Sequence, residues 1–128
     1  MTTTNTATAA TLDMDSLGRR CVEICEERKA EDIRLYDVSE TSLLADTFLI
    51  CTGKTAPHIR AIRDHLQTDL GENGIKPVRV EGTPDSHWTI LDFGTLLVHI
   101  LNPEKREYYL LEELWDKARI LYPEDSEE

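Results

Sequence analysis

The sequence predicts an α/β (α+β) fold in which a mixed sheet of about five strands is flanked by helices. Apolar residues recur at helical spacing in some segments and form short runs of strand length in others. The resulting order, α-β-β-α-β-β-β-α, contains both adjacent strands and a helical connection, and this combination favours a mixed sheet. With 128 residues, the chain has the length of one domain with its own core.

The chain divides into one domain and two polar ends. We expect residues 1–12, which are mostly Thr and Ala, to form a disordered leader. Residues 13–122 form the single domain, and residues 123–128 (PEDSEE) form an acidic tail. The apolar runs are far shorter than the ~20 residues of a membrane span, so we expect no contact with a membrane.

The first half of the domain begins with a helix that is followed by two strands. The helix is expected from about Ser16 to Ala30. The segment from Ile33 to Val38 alternates apolar and polar residues, as a strand with one buried face does. The run from Thr47 to Thr52 is rich in β-branched and apolar residues, which is typical of a central strand. The apolar stripe predicted for the helix consists of Leu17, Cys21, Ile24 and Cys25.

A second helix is predicted to follow Thr55. A threonine suits the N-cap, and Pro57 suits the first helical turn. Gly74 supplies the glycine that commonly ends a helix. The buried stripe of this helix is predicted to contain Ile59, Ile62, Leu66 and Leu70.

The second half of the domain contains three strands and a last helix. Short strands are expected at Pro77–Glu81, His87–Leu91 and Leu96–Leu101, where apolar residues cluster between turn signals. Asn102-Pro103 then begins a helix, since Asn suits the N-cap and Pro the first turn. One face of that helix is expected to carry Leu111, Leu114, Trp115 and Ala118, with Trp115 in the core.

The hairpin and the last helix carry an aromatic set of residues. If Phe93-Gly94 forms a two-residue turn, Trp88 pairs with His99 on one face of the sheet, and a longer turn would break this pairing. The alternative is that Trp88 and His99 are core residues. Tyr108 and Tyr109 are adjacent on a helix and point about 100° apart, so they are not both expected in the core. A surface rich in aromatic residues but without reactive groups is typical of a docking site.

The net charge restricts the partners of the protein. The chain has 14 basic and 25 acidic residues, a formal charge of −11. Nucleic-acid binding depends on Lys and Arg replacing counterions on phosphates, so no direct nucleic-acid recognition is expected. A basic protein is the better partner, because complementary charge speeds encounter. The three cysteines and the lack of a secretory signal favour free thiols in the cytoplasm.

Three short motifs imitate catalytic or metal sites. Gly53-Lys54-Thr55 resembles the end of a phosphate-binding loop, but Phe48 occupies the position where that motif requires glycine. Asp92-Phe93-Gly94 is interpreted as a hairpin turn rather than a kinase triplet, because the chain is too short for a kinase. Cys21 and Cys25 lie one helical turn apart, but no second pair of ligands accompanies them. The sequence therefore predicts no catalytic, cofactor-binding or metal-binding residues.

Several separate motifs occur in one order over about residues 15–118. They are residues 42–53 (SLLADTFLICTG), Glu81-Gly82, Trp88 with residues 91–94 (LDFG), Val98-His99, and residues 106–115 (REYYLLEELW). In this order they resemble the ribosomal silencing factors, also called the Iojap family.

The resemblance implies a fold related to the nucleotidyltransferases but without their catalytic residues, since Gly53 is followed by Lys54 rather than Ser. It implies a translation repressor that binds the large ribosomal subunit through a basic ribosomal protein, the fourteenth of the L series. Such a repressor blocks association with the small subunit and slows translation under nutrient limitation. Tyr108 is included because it is adjacent to Tyr109. The predicted partner-binding residues are thus Trp88, Tyr109, His99, Asp92, Arg106 and Tyr108.

Two alternatives stay open at this point. The chain could be a remnant nucleotidyltransferase-type or phosphate-binding enzyme that uses Gly53-Lys54-Thr55. The free protein could also be a homodimer, since two-fold dimers are the commonest oligomers.

Overall fold

The computed structural model describes residues 14–39, 46–109 and 119–123. Within these ranges, a six-stranded sheet carries two long helices on one face and a short helix on the other. The helices are α1 (Met14–Glu27), α2 (Ala56–Glu72) and α3 (Pro103–Tyr109). The strands are β1 (Glu31–Asp37), β2 (Thr47–Thr52), β3 (Arg79–Thr83), β4 (Trp88–Asp92), β5 (Leu96–Leu101) and β6 (Arg119–Tyr122), with a 3-10 turn at Pro84–Ser86 before β4.

The sheet combines parallel and antiparallel pairs in the order β3-β4-β5-β2-β1-β6. β2 and β5 pair in parallel at the centre, and the other neighbouring pairs are antiparallel. The predicted α/β (α+β) architecture, a mixed sheet flanked by helices, is confirmed. The relation to the nucleotidyltransferases stays a prediction.

Strand β6 is an element that the sequence did not predict, and it raises the number of strands from about five to six. It has four residues and lies at the sheet edge beside β1, so its apolar alternation is too short to be recognised. Long-range contacts hold it instead. The Arg119 guanidinium donates to Asp37 Oδ2 over 2.8 Å and lowers the pKa of that carboxyl to about 2. The Tyr122 hydroxyl donates to the Glu26 carboxylate on α1.

Helix α1 buries the predicted stripe but ends three residues before the predicted Ala30. It ends because Lys29 adopts the left-handed conformation, with φ 60°. The Lys29 N–H then donates to Glu26 O over 3.0 Å, and the Ala30 N–H donates to Cys25 O over 2.9 Å. These two bonds form a Schellman motif, in which the left-handed position is usually glycine.

Helix α2 has the predicted start, stripe and end. The His58 N–H donates to Thr55 Oγ1 over 3.2 Å, which confirms Thr55 as the N-cap. Gly74 takes the left-handed position with φ 80°, and the Ile75 N–H donates to Leu70 O over 2.8 Å. The stripe residues Ile59, Ile62, Leu66 and Leu70 are all buried.

The two faces of the sheet bury separate clusters. The larger cluster lies between the sheet and helices α1 and α2, and it includes all three cysteines. The smaller cluster lies on the opposite face. It contains Tyr36, Val38, Phe48, Ile50 and Leu101, with Trp88 and Leu97 packed against it.

The register predicted for the β4–β5 hairpin is wrong by two residues. Trp88 pairs with Leu101 rather than His99, and His99 pairs with Ile90. The physical reason is that the turn is centred one residue later than predicted, because Gly94, with φ 90°, occupies the first turn position instead of the second. Because side chains alternate between the two faces of a strand, a register shift of two residues leaves every side chain on its predicted face. Trp88 and His99 therefore still share one face, but as diagonal rather than directly paired neighbours.

Other predictions differ in their bounds or lie outside the described residues. Strand β3 begins two residues after the predicted Pro77, because proline has no N–H to donate to the sheet. The leader 1–12, residues 124–128 of the acidic tail and the helical stripe of Leu111, Leu114, Trp115 and Ala118 lie outside the described ranges. None of the helices in those ranges has the length and apolar character to cross a membrane.

Candidate partner-binding surface

Two of the predicted site residues, Trp88 and His99, lie together on the sheet face opposite α1 and α2. We call this side the aromatic face and define it by Tyr36, Phe48, Trp88 and His99. Helix α3 follows β5 directly, and its Arg106 reaches the same face through Thr52. Asp92 lies at the other end of β4 from Trp88, so the structure does not bring all the predicted residues together.

Trp88 lies half-buried where β4 begins. Its indole Nε1–H donates to His99 Nδ1 over 3.2 Å, and the two ring centroids lie 6.1 Å apart. Tryptophan has one polar donor, and here it is used inside the protein. What the ring offers to a partner is therefore its apolar, electron-rich surface.

His99, which accepts the hydrogen bond from Trp88, is only 8% exposed. Burial lowers the pKa of His99 to about 4, so the ring is neutral at neutral pH. Since Nδ1 accepts the bond from Trp88, the neutral ring is assigned its proton on Nε2. Phe48 contacts the same ring edge-on, with centroids 6.1 Å apart. The prediction that His99 binds a partner stays a prediction, and the structure adds a supporting role for it.

Arg106 lies inside the protein, with 7% of its surface exposed. Its Nη1 donates to Asp32 O over 2.7 Å and to Thr52 Oγ1 over 3.0 Å, and Nη2 lies 3.6 Å from Asp32 Oδ2. Asp32 belongs to an irregular start of β1 and has φ 50°. Arg106 thus ties α3 to the ends of β1 and β2. Its proposed part in partner binding would be to position α3.

The remaining predicted residues differ in their accessibility. Tyr108 is 78% exposed on α3. Tyr109 is the last residue of α3, and its side chain lies outside the described part of the structure. Asp92 is half-buried, and its Oδ1 accepts the Gly94 N–H over 2.8 Å, which holds the hairpin turn.

A groove of about 300 Å³ lies beside Trp88. Its floor contains Trp88 and Ile90, and both belong to β4. The sequence did not single out the other lining residues as a site. They are Glu81, Gly82, Ser86 and Lys105.

Glycine is required at position 82 for β3 to lie close to β4 beside the groove. Gly82 has φ 76°, and a Cβ added there would lie 2.1 Å from the carbonyl oxygen of Trp88. A side chain at this position would therefore push β3 away from β4. The sequence contains the Glu81-Gly82 motif, which was the signal for this position. The contact of Gly82 with the Trp88 carbonyl group is visible only in the fold.

The loop that leads into Trp88 is fixed by its own hydrogen bonds. Thr83 caps the 3-10 turn by accepting the Ser86 N–H over 3.2 Å, and Ser86 Oγ accepts the Thr83 N–H over 3.2 Å. Ser86 Oγ also lies 2.7 Å from Thr83 O, to which it donates. One wall of the groove is thus held in place without a ligand.

The charged residues that line the groove are balanced. They are Glu81 on β3 and Lys105 on α3. Glu81 also forms an ion pair with Arg79 over 3.3 Å. The preference for a cationic partner therefore comes from the net charge of −11 for the whole chain.

The Gly53-Lys54-Thr55 motif forms a strand-to-helix connection in the structure. The Gly53 N–H donates to Leu101 O over 3.0 Å, and Thr55 caps α2. A Cβ at position 53 would lie 2.8 Å from Ile59 Cγ1, so glycine allows the helix to approach the sheet. Lys54 Nζ lies 3.1 Å from Glu31 Oε2.

The cysteines lie in the core. Burial raises the pKa of the Cys21 thiol to about 12, and the Cys25 and Cys51 sulfur atoms lie 3.8 Å apart. Such thiols pack as small apolar groups. In the part of the chain that the structure describes, no three His, Cys, Asp or Glu side chains are grouped to hold a metal ion.

Comparisons with known proteins agree on one family. The family model described as "Ribosomal silencing factor during starvation" matches residues 11–128. The ribosomal silencing factor of Bacillus subtilis is 35% identical over 109 residues, which cover 85% of this chain and 92% of that protein. The mouse protein named "Mitochondrial assembly of ribosomal large subunit protein 1" is 31% identical over 109 residues, which cover 83% of this chain and 46% of that protein.

A solved structure shows the same fold. A crystal structure of a protein from Chromobacterium violaceum matches with a TM-score of 0.79 and 28% sequence identity. The match covers 82% of this chain and 88% of that chain. The fold described above is therefore shared with an experimentally determined structure.

Proposed function

The chain belongs to the family of ribosomal silencing factors, and on this premise we propose that it is a translation repressor that blocks the joining of ribosomal subunits. In this proposal it binds the large ribosomal subunit through a basic ribosomal protein, the fourteenth of the L series. The small subunit is then excluded, and translation slows under nutrient limitation. The place of action is the cytoplasm.

The observation that carries this proposal is the half-buried Trp88 beside a groove of an acidic protein. Interface energy concentrates in a few aromatic anchors, and tryptophan is prominent among them. The exposed Tyr108 lies on α3, the helix that also contributes Lys105 to the groove. A chain with a net charge of −11 complements a basic protein and repels the phosphates of ribosomal RNA.

The proposed mechanism requires no chemical step. A protein that occupies a surface needed by the small subunit prevents joining by exclusion alone. The rigid loop before Trp88 reduces the entropy lost on binding, because the anchor is already in position. The name of the mouse relative connects that protein with the large subunit, which agrees with the proposed target.

Replacing the proposed anchor tests the surface directly. We expect Trp88→Ala to weaken co-sedimentation with purified large subunits by about 2 kcal/mol, or roughly 30-fold, as truncation of an interface anchor does. Val80→Ala is the matched control, because Val80 is 43% exposed and pairs with Leu91, which belongs to the larger cluster on the opposite sheet face. If folded Trp88→Ala binds as tightly as Val80→Ala, the proposed surface is wrong.

The alternative of a remnant nucleotidyltransferase-type or phosphate-binding enzyme has less support. A phosphate loop needs backbone N–H groups aimed at the ligand, but the Gly53 N–H is bonded to Leu101 in the sheet. A melting temperature that rises with nucleotide and Mg²⁺, and no longer rises in Lys54→Ala, would favour that alternative.

A further inference from the structure

The groove beside Trp88 has the chemistry of a site for one side chain. Its volume of about 300 Å³ is larger than a single long side chain and far smaller than a helix or a folded loop. The floor is apolar, and the Trp88 indole donor is already bonded to His99. The floor can therefore contact a hydrocarbon stem or a cation, but the indole has no N–H left to donate.

Two charged residues line the groove, and they have opposite signs. They are Glu81, which belongs to β3, and Lys105, which belongs to α3. Glu81 Oε2 accepts from Arg79 over 3.3 Å, and among the described residues no donor reaches its Oε1. One carboxylate oxygen is thus available to an incoming donor.

The charge of the whole chain and the aromatic floor favour a cationic occupant. The net charge of −11 raises the concentration of cations near the protein. An aromatic ring beside a carboxylate also binds cations, since the ring face attracts a positive charge. An acidic occupant would meet the same ring face and carboxylate with its own negative charge.

We propose that this groove binds one basic side chain, a lysine or arginine, of the protein that docks on the aromatic face. The aliphatic stem lies on Trp88 and Ile90, and the cationic head donates to Glu81. Lys105, as a like charge in the lining of the same groove, opposes this binding and limits its affinity. This inference rests on the proposed function, because it names the group that the ribosomal partner inserts.

A pair of charge-neutralising variants tests the sign of the occupant. In co-sedimentation with purified large subunits, we expect Glu81→Gln to weaken binding about tenfold, since it removes a partly exposed charged hydrogen bond. Lys105→Gln is expected to bind at least as tightly as the wild type. Glu104→Gln is the matched control on α3, with the same change of charge outside the groove, and we expect it to change affinity less than about threefold.

The reverse pattern would overturn the inference. If Lys105→Gln loses affinity and Glu81→Gln does not, the occupant is acidic. If Glu81→Gln binds like the control while Trp88→Ala does not bind, the docking surface stands and the basic-side-chain site is wrong.

A small probe tests the groove without the ribosome. Nα-acetyl-L-argininamide, titrated into the ¹⁵N-labelled full chain, is expected to shift the Trp88 indole N–H resonance in a saturable way. The Glu81→Gln variant should abolish the shift, and N-acetyl-glutamate should not produce it. If the argininamide gives no saturable shift in the wild type, the groove does not bind a basic side chain, whether or not the protein binds large subunits.

Discussion

Trp88 and His99 have different tasks on the aromatic face. Trp88 is half-exposed and faces the groove, whereas His99 is buried and accepts the indole hydrogen bond through Nδ1. Protonation would turn that nitrogen into a donor, and two donors cannot bond to each other. The neutral state of His99 is therefore part of what holds the anchor in place.

We predict a pH dependence of stability that depends on His99. Burial lowers the pKa of His99 to about 4, below its ordinary value of 6.5. Between these values the unfolded chain binds a proton that the folded chain does not, so stability falls as the pH decreases from 6.5 toward 4. The full loss would be on the order of 3 kcal/mol for such a shift.

Urea unfolding of the wild type and of His99→Gln at pH 7 and pH 4.5 checks this prediction. The variant keeps a polar side chain without a group that titrates in this range. We expect its stability to fall less over the interval than that of the wild type. Equal pH dependence in the two proteins would show that His99 is not the titrating group.

At the scale of elements, α1 and α2 end in the same motif with different residues. Lys29 and Gly74 both take the left-handed position, with φ 60° and 80°. Residues with a Cβ pay about 1 kcal/mol or more in that conformation, whereas glycine does not. The exposed Lys29 is thus a strained position in an otherwise regular helix end.

We therefore expect Lys29→Gly to stabilise the protein by about 1 kcal/mol in chemical denaturation, because glycine removes the strain at the left-handed position. Gly74→Ala is the complementary variant and should destabilise by a similar amount. In the described part of the chain, no atom lies within 4 Å of a Cβ added at Gly74, so the effect is expected to come from the backbone. A Lys29→Gly variant less stable than the wild type would contradict this account.

The helices and central strands were predictable because each signal was local. The α1 and α2 stripes, the Thr55 cap and the Thr47–Thr52 strand all depend on spacing within one segment. Strand β6 was missed because it depends on Asp37 and Glu26, which are distant in sequence. The prediction of the hairpin register was wrong for a different reason. Gly94 suits either central position of a two-residue turn, and the sequence does not indicate which one it occupies.

At the scale of the whole molecule, the sequence predicted site residues but not their depth. Trp88 and Tyr108 are accessible, whereas His99 and Arg106 are buried. Burial of Arg106 follows from contacts with Asp32 and Thr52, which only the fold brings close. The groove was missed for the same reason, since Glu81 and Lys105 come together across 24 positions of sequence (105 − 81).

The two faces of the sheet carry different parts of the molecule, the main core on one and the proposed docking surface on the other. Helices α1 and α2 cover one face with the larger cluster, which supplies most of the core. The aromatic face carries the groove and α3. A homodimer of the free protein stays one of the alternatives; if it forms through the aromatic face, light scattering should show that large subunits displace it.

The central claim is that the protein prevents subunit joining by occupying the large subunit through Trp88. Light scattering measures joining directly, when small and large subunits are mixed in Mg²⁺-containing buffer with the protein already bound to the large subunit. We predict that the wild type and Val80→Ala suppress the rise in scattering and that folded Trp88→Ala does not. A full rise with the wild type, or equal suppression by Trp88→Ala, would contradict the account.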